Sequence, residues 1–435
     1  MGGEMSIQVK NILLYLFSHA MFLGFLCGNG LFAADGHLGE REKAQVKPLK
    51  EHMDYVPDEV KLNEIIDQYD TAYYWEGNKT FLFPKGSTSF IKSPFEGNDF
   101  QRFVIYDVGS SAIKLKIADV EIGTGDHYII SDVRISTVYG VDKYNLRERV
   151  ATMGAIKHMV EEELSVQKGD IEYLAVATGG FRAAPRYRDT LVTRTLNMTG
   201  IYIEVIDQAT EGMLAFRGAM LNEPGADPSH SIVWDLGGRT AQIVAAELSG
   251  SFFIAVGNVG ADFFLIGLKD YFNSQGIVSS ERFTQEELDA GLRFFDLLME
   301  GTDFTHGEPI FEPDDLIFIK SKIAQHYDIY AVGGLHNFVI QSYVNAWNKA
   351  SDAHIYTDQD LENLLHWAAG KTGSEINEGL GLNTKRPKED MLKVVLVLGL
   401  MKTLGIHEVT TVNVNNADGV LAEQIEMNKN LSTTH

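Results

Sequence analysis

Phe103-Val104-Ile105-Tyr106-Asp107-Val108-Gly109-Ser110-Ser111 and, further along, Ser231-Ile232-Val233-Trp234-Asp235-Leu236-Gly237-Gly238 share one plan. In each, a short run of β-branched and aromatic residues, the signature of a strand buried on both faces, ends in an aspartate and a glycine-bearing turn. A second strand follows each turn: Ile113 to Val120 alternates after the first, and Ala241 to Leu248 then Phe252 to Val256 after the second. Between the two copies the pattern predicts a strand near Tyr128 to Ile135, a helix near Arg147 to Leu164 and a strand from Ile171 to Ala177. A strand from Tyr202 to Ile206 and a helix from Thr210 to Asn222 complete that half. Pro224-Gly225 and Asp227-Pro228 mark a linker. The simplest account is two similar α/β lobes facing each other across a cleft.

With 435 residues the chain is long enough for two such lobes and an extension. Its net charge of −23 argues against nucleic acid or an anionic membrane as a partner, because the surface as a whole repels phosphates. A polyanionic substrate then requires a locally basic cleft. The segment Phe181 to Arg194 is a candidate, with Arg182, Arg186, Arg188 and Arg194 against the single Asp189; for Arg188 and Arg194 a solvated helix face is the simpler reading.

The first 34 residues read as a secretory signal: Lys10, an apolar run from Ile12 to Cys27 broken by Ser18 and His19, then small residues at Ala33 and Ala34 before Asp35. The run is short for a membrane span, so the expectation is an exported, periplasmic or secreted protein with no stable span after signal removal. Cys27 is the single cysteine. Cleavage after Ala33 or Ala34 therefore leaves neither a disulfide nor a thiol-based site. Residues 35–101, charged and then rich in aromatics, are expected to form an ordered extension with at most a short hairpin. Asn78-Lys79-Thr80 within it matches a glycosylation acceptor.

A strand ending in Asp and then a glycine turn suits phosphate chemistry. Glycine allows close backbone approach to an oxyanion, serine hydroxyls add donors, and the aspartate can hold a hydrated divalent cation or orient water. Asp107 and Asp235 are thus candidate metal ligands for Mg2+ or Mn2+. Gly109, Ser110 and Ser111, with Gly237, Gly238, Arg239 and Thr240, are the candidate phosphate-binding turns. Lys114 and Lys116 share one strand face, so only that parity could reach a cleft, with solvent exposure an equal reading. The histidines His306, His326, His336 and His366 have no zinc spacing.

Five segments in order are similar to the exopolyphosphatase and guanosine-pentaphosphate phosphohydrolase (Ppx/GppA) family, of the superfamily that includes actin, sugar kinases and heat-shock chaperones. Residues 103–120 resemble its first phosphate motif, and Thr178-Gly179-Gly180-Phe181-Arg182-Ala183-Ala184 resembles its Thr-x-x-x-Arg-x-Ala segment. Residues 203–218 resemble the stretch bearing its catalytic glutamate, which falls on Glu211. Residues 232–243 resemble the second phosphate motif, and Ala417-Asp418-Gly419-Val420-Leu421-Ala422-Glu423 its C-terminal turn and helix. Three departures stand out: Arg239 replaces a glycine, Gln242 replaces an acid, and the later glycine-rich segment is reduced to Val332-Gly333-Gly334-Leu335-His336.

The resemblance implies an α/β fold of two ribonuclease H-like, actin-like ATPase lobes. Lobe I is expected over 102–224 and lobe II over 225–435, with the C-terminal helix returning to lobe I. It also implies Glu211 as the carboxylate that aims or deprotonates water; a helix-start glutamate favoured by the helix dipole is the plainer alternative. Arg182 is read as a phosphate ligand or as an ordinary salt bridge. The implied partner is polyphosphate or a nucleotide-type small molecule, and a homodimer is left open. Three functions compete: hydrolysis of a terminal phosphoanhydride, an apyrase-like nucleoside tri- or diphosphate hydrolysis, and silent ligand binding through a degenerate cleft. The apyrase reading rests on Asp107 to Ser111 and Ala177 to Arg182, and it fits less well with the lack of disulfides and with Asp418-Gly419-Val420-Leu421.

Overall fold

The structure, a computed structural model, describes residues 94–95, 99–110, 112–137, 143–164, 171–247, 251–301, 310–350 and 353–431. The expected signal segment, the match to a glycosylation acceptor, nearly all of the expected 35–101 extension, and Ser111 lie outside the described residues.

Strand β1 (Phe100–Val108) lies in the middle of a five-stranded sheet of order β3-β2-β1-β4-β5. β2 (Ala112–Glu121) and β3 (His127–Ser136) follow antiparallel, then helix α1 (Lys143–Leu164) leads to β4 (Ile171–Ala177), parallel to β1. The short α2 (Gly179–Arg182), α3 (Pro185–Thr199), β5 (Ile203–Val205) and α4 (Gln208–Asn222) complete the lobe.

The second lobe repeats the plan. β6 (Ser231–Leu236), β7 (Ala241–Ala246) and β8 (Phe252–Gly257) are antiparallel neighbours. α5 (Ala261–Ser274), β9 (Arg282–Phe283), α6 (Gln285–Met299) and α7 (Pro313–Ile323) precede β10 (Asp328–Val332), which is parallel to β6. A π-helical turn at Leu335–Ile340 opens α8 (Gln341–Asn348). Then come β11 (Ile355–Thr357), α9 (Asp358–Ala368), β12 (Lys371–Thr372), α10 (Gly373–Leu380), α11 (Pro387–Leu404), β13 (Glu408–Thr411) and α12 (Asn416–Leu431). The sheet order β8-β7-β6-β10-β13-β11 matches β3-β2-β1-β4-β5 strand for strand, with β11 added at the edge. The chain therefore has two ribonuclease H-like lobes.

Strand parity explains where the aspartates point. In β1, Val104, Tyr106 and Val108 enter an outer core with Leu146, Val150 and Met153 of α1, whereas Phe103 and Ile105 pack with Ala417, Leu421 and Ile425 of α12. Asp107 has the parity of Phe103 and Ile105. In β6, Ile232, Trp234 and Leu236 enter the outer core, and Val233 packs with Ala215, Phe216 and Ala219 of α4. Asp235 has the parity of Val233. Each aspartate thus extends the inner face of its sheet by one row past the apolar ones.

Those inner faces are covered by two exchanged helices. α4 leaves the first sheet and lies on the second, while α12 leaves the second and lies on the first. They pass so closely that a Cβ built on Gly419 would sit 2.2 Å from the Leu214 carbonyl oxygen, and one on Gly218 would sit 3.0 Å from the Asp418 Cβ. Lys116 of β2, buried, bridges Asp132 at 2.6 Å and Asp418 of α12 at 2.7 Å. Arg217 of α4 pairs with Glu423 of α12. Removing one partner of a buried pair such as Lys116–Asp418 costs roughly 3–5 kcal/mol, because the other charge is stranded. Among the described residues no helix is long and apolar enough to cross a membrane.

The helix crossing generates a test. Gly419→Ala should destabilise the protein by about 3 kcal/mol or more through overpacking against backbone. Gly225→Ala, where the added carbon meets nothing within 4 Å, should stay within about 0.5 kcal/mol. Thermal and urea unfolding of the two variants check this; similar stabilities would contradict the close crossing.

Candidate active site

The penultimate residues of β1 and β6, Asp107 and Asp235, come together with Glu211 of α4 and Lys114 of β2. Lys114 Nζ contacts Asp107 Oδ2 at 2.8 Å, and Asp107 is 1% exposed. Burial pushes the Asp235 carboxyl up to about 7, with the charges of Glu211 and Asp107 adding to the rise and Lys114 opposing it. Glu211 is also raised by burial, then lowered in part by Arg182 and raised further by Asp107. Burial disfavours the Lys114 ammonium, yet Asp107 and Asp235 together outweigh that and raise its proton affinity. Three acids and one lysine therefore share a single electrostatic site.

Glu211 sits in the first turn of α4, which is capped by Asp207 Oδ1 accepting from the Thr210 N–H at 2.7 Å. Its Oε2 is held by Arg182 Nη2 at 2.7 Å, and Arg182 Nη1 donates to the Ile206 carbonyl at 2.9 Å. Arg182 thus joins the site through Glu211, within one lobe, and fixes that carboxylate's direction. Glu211 Oε1 has no protein partner among the described residues.

The two turns close identically. Gly109 N–H donates to the Ala112 carbonyl at 2.9 Å, and Gly237 N–H to the Thr240 carbonyl at 3.0 Å. Their other carbonyls, which would repel a phosphate, are tied to protein donors. Arg149 of α1 donates from Nε to the Gly109 carbonyl at 3.2 Å and from Nη2 to that of Ser110 at 2.6 Å. The N-terminus of α5 does the same for the second turn, with Ala261 N–H on Gly237 O at 3.0 Å and Asp262 N–H on Gly238 O at 2.8 Å. Gly260 makes that contact feasible, since a Cβ there would lie 2.3 Å from the Arg239 nitrogen. Gly333, at φ +93°, backs Asp235: a Cβ there would meet Asp235 Oδ1 at 2.5 Å.

The two lobes differ in the residue that faces each aspartate across the ladder. Lys114 stands opposite Asp107 in its ladder, and Gln242 opposite Asp235. Gln242 is 1% exposed, lies against Gly212 of α4, and its Nε2 has no hydrogen-bond partner among the described residues. Arg239 is exposed on the second turn without an ion-pair partner among the described residues. Arg188 pairs with its exposed neighbour Asp189 at 3.0 Å. Lys116 faces the helix layer instead of the cleft. His336 is buried on Tyr356, its Nδ1 2.7 Å from the hydroxyl.

Among the described residues no group of three or more His, Cys, Asp or Glu is arranged to hold a metal. Two hard carboxylates are what a magnesium or manganese ion needs when waters and substrate oxygens fill its other positions, so the donor set fits that kind of ion and not a zinc cage. Arg149, Gly260 and Arg134, which stands opposite Lys114, lay beyond sequence reasoning, because no local pattern links them to turns distant in the chain.

No protein-family model matches the sequence, and no curated protein matches it. Solved structures do resemble it. A Ppx/GppA family member from Aquifex aeolicus superposes with a TM-score of 0.54 at 16% identity, covering 75% of this chain and 98% of that one. An exopolyphosphatase from Cytophaga hutchinsonii gives 0.54 at 14% identity, over 75% and 98%. At these identities the likeness establishes the fold: the two-lobed, actin-like architecture of those proteins.

The raised Asp235 has a consequence for stability. Its carboxyl titrates at about 7 in the folded protein, against ~3.9 in an unfolded chain. Between those values the folded, metal-free protein binds a proton that the unfolded chain has released. Stability is therefore full at low pH and falls as pH rises through the window. Asp235→Asn should raise the melting temperature at pH 8 in the presence of a chelator and flatten the decline between about pH 4 and 7. An unchanged or lower value at pH 8 would contradict this electrostatic picture.

Proposed function

We propose that this protein hydrolyses the terminal phosphoanhydride bond of polyphosphate or of a nucleoside polyphosphate. The observation that carries the reading is the meeting of Asp107, Asp235 and Glu211 around Lys114, each from a different element and two of them from opposite lobes. Phosphoryl transfer demands positioning and charge compensation more than covalent help from the protein, and this is a site for both.

The terminal phosphate lies between the turns at Gly109–Ser110 and Gly237–Thr240, with Lys114 and Arg239 as cationic donors. A bound Mg2+ or Mn2+ on Asp107 and Asp235 would supply the positive charge that neutralises the phosphate oxygens. Glu211 presents Oε1 to a water while Arg182 holds Oε2. Its raised proton affinity makes it a stronger base than a free carboxylate. Water attacks phosphorus in line, its proton passes to Glu211, the bridging P–O bond breaks, and the shortened chain leaves with the electron pair of that bond. Gln242 cannot replace Glu211, because an amide takes up no proton near neutrality. The likeness in fold to an exopolyphosphatase supports the same reaction class.

Export through the 1–34 signal segment belongs to the same proposal, since polyphosphate or extracellular nucleotides can be met outside the cytoplasm. A silent binding role is the second reading, motivated by the engagement of Glu211 with Arg182 and by Gln242. Glu211→Gln separates the two. It should lower phosphate release by about a hundredfold or more while substrate binding persists. Unchanged turnover would make this helix start structural only, and no turnover in the parent protein with any condensed phosphate would favour silent binding.

A further inference from the structure

The register of the first sheet places Asp107 of β1 opposite Lys114 of β2, and Lys114 opposite Arg134 of β3. Three ionisable side chains therefore stand in one row on the inner face, running from a central strand to the sheet's edge. Lys114 is satisfied by Asp107 at 2.8 Å. Arg134 is exposed and has no carboxylate partner among the described residues. It lies near enough to Lys114 to disfavour the ammonium charge, and like charges directly opposite weaken a sheet.

The adjacent row shows what a closed arrangement looks like. Lys116 is flanked by Asp132 at 2.6 Å and by Asp418 at 2.7 Å. The row of Lys114 and Arg134 has two cations and one anion, in a chain whose net charge is −23. An anion arriving from solvent along the sheet edge completes it. Neighbouring strands are roughly 5 Å apart, so successive phosphates of one chain can meet Lys114 and then Arg134.

We infer that Arg134 binds the second and later phosphates of a linear condensed-phosphate chain whose terminal phosphate rests at Asp107 and Lys114. This rests on the hydrolase reading of the same cleft and extends it to a substrate class: linear anions of three or more phosphates, entering over the β3 edge. Arg134 is a positioning residue. It holds the chain so that its last bond, not an internal one, meets Glu211.

The test reads binding directly. Tripolyphosphate, ATP and orthophosphate are titrated by calorimetry into the full chain and its Arg134→Ala and Arg134→Lys variants. Arg134→Ala should weaken tripolyphosphate about tenfold more than orthophosphate, as loss of a charge-assisted hydrogen bond does, and Arg134→Lys should recover most of it. A parallel loss for ATP identifies the phosphate chain as the shared ligand; loss for tripolyphosphate alone identifies the inorganic chain. Equal losses for tripolyphosphate and orthophosphate, no loss, or no tripolyphosphate binding at all would overturn the inference. Since no turnover is needed, an Arg134 effect in a protein that releases no phosphate would sink the hydrolase reading and leave the subsite standing.

Discussion

Mutual repulsion among Asp107, Asp235 and Glu211 is the constraint on which the rest of the molecule depends. Three acids brought together with little solvent cannot all ionise at ordinary proton affinity, and the structure compensates from several directions. Lys114 takes Asp107 at 2.8 Å, Arg182 takes Glu211 at 2.7 Å, and Asp235 keeps a proton up to about pH 7. Asp235 is the member without a basic partner at hydrogen-bond distance among the described residues, and it comes from the other lobe. A cation that joins the two lobes would relieve the largest remaining imbalance, which is why the site suits a metal-bound phosphate better than a neutral ligand.

The repeated lobe explains how such a cluster can form. Each sheet ends its inner face in an aspartate one row past its apolar side chains, and the helices that cover those faces are exchanged between lobes. α4 therefore starts beside one aspartate and packs under the other, carrying Glu211 between them. Glycine makes the exchange geometrically feasible at Gly419 and Gly218, and Gly333 leaves room behind Asp235. The duplication is not symmetric where chemistry is concerned. Lys114 and Gln242 hold equivalent ladder positions, so one lobe supplies a cation and the other a buried amide.

Much of this was legible in the sequence, for physical reasons. β1 and β6 announce themselves because strands buried on both faces are apolar throughout; α4 was legible from Thr210 to Asn222, and its true start two residues earlier rests on the Asp207 cap. Parity placed Lys114 and Lys116 on one face, but which of them meets the cleft depends on where α12 arrives, and that is set far along the chain. The pairing of Arg182 with Glu211 needed the return of β5 beside β4 to bring the two together. Arg149 fastens a turn 40 residues before it, and nothing local in a helix marks such a role. α11 is buried nearly all round, so it lacks the amphipathic stripe that would give its position away. The basic segment at Arg182 to Arg194 is visible in composition, whereas the cationic row at Lys114 and Arg134 is split between strands and emerges only from their register.

The central claim is that Asp107 and Asp235 form one cation and phosphate site across the two lobes. Calorimetric titration of magnesium in the presence of a slowly hydrolysed imidodiphosphate tests it most directly. The account predicts a single magnesium site whose affinity rises when the phosphate analogue is present and which is lost in both Asp107→Ala and Asp235→Ala. Retention of parent-like magnesium affinity in either variant would contradict it.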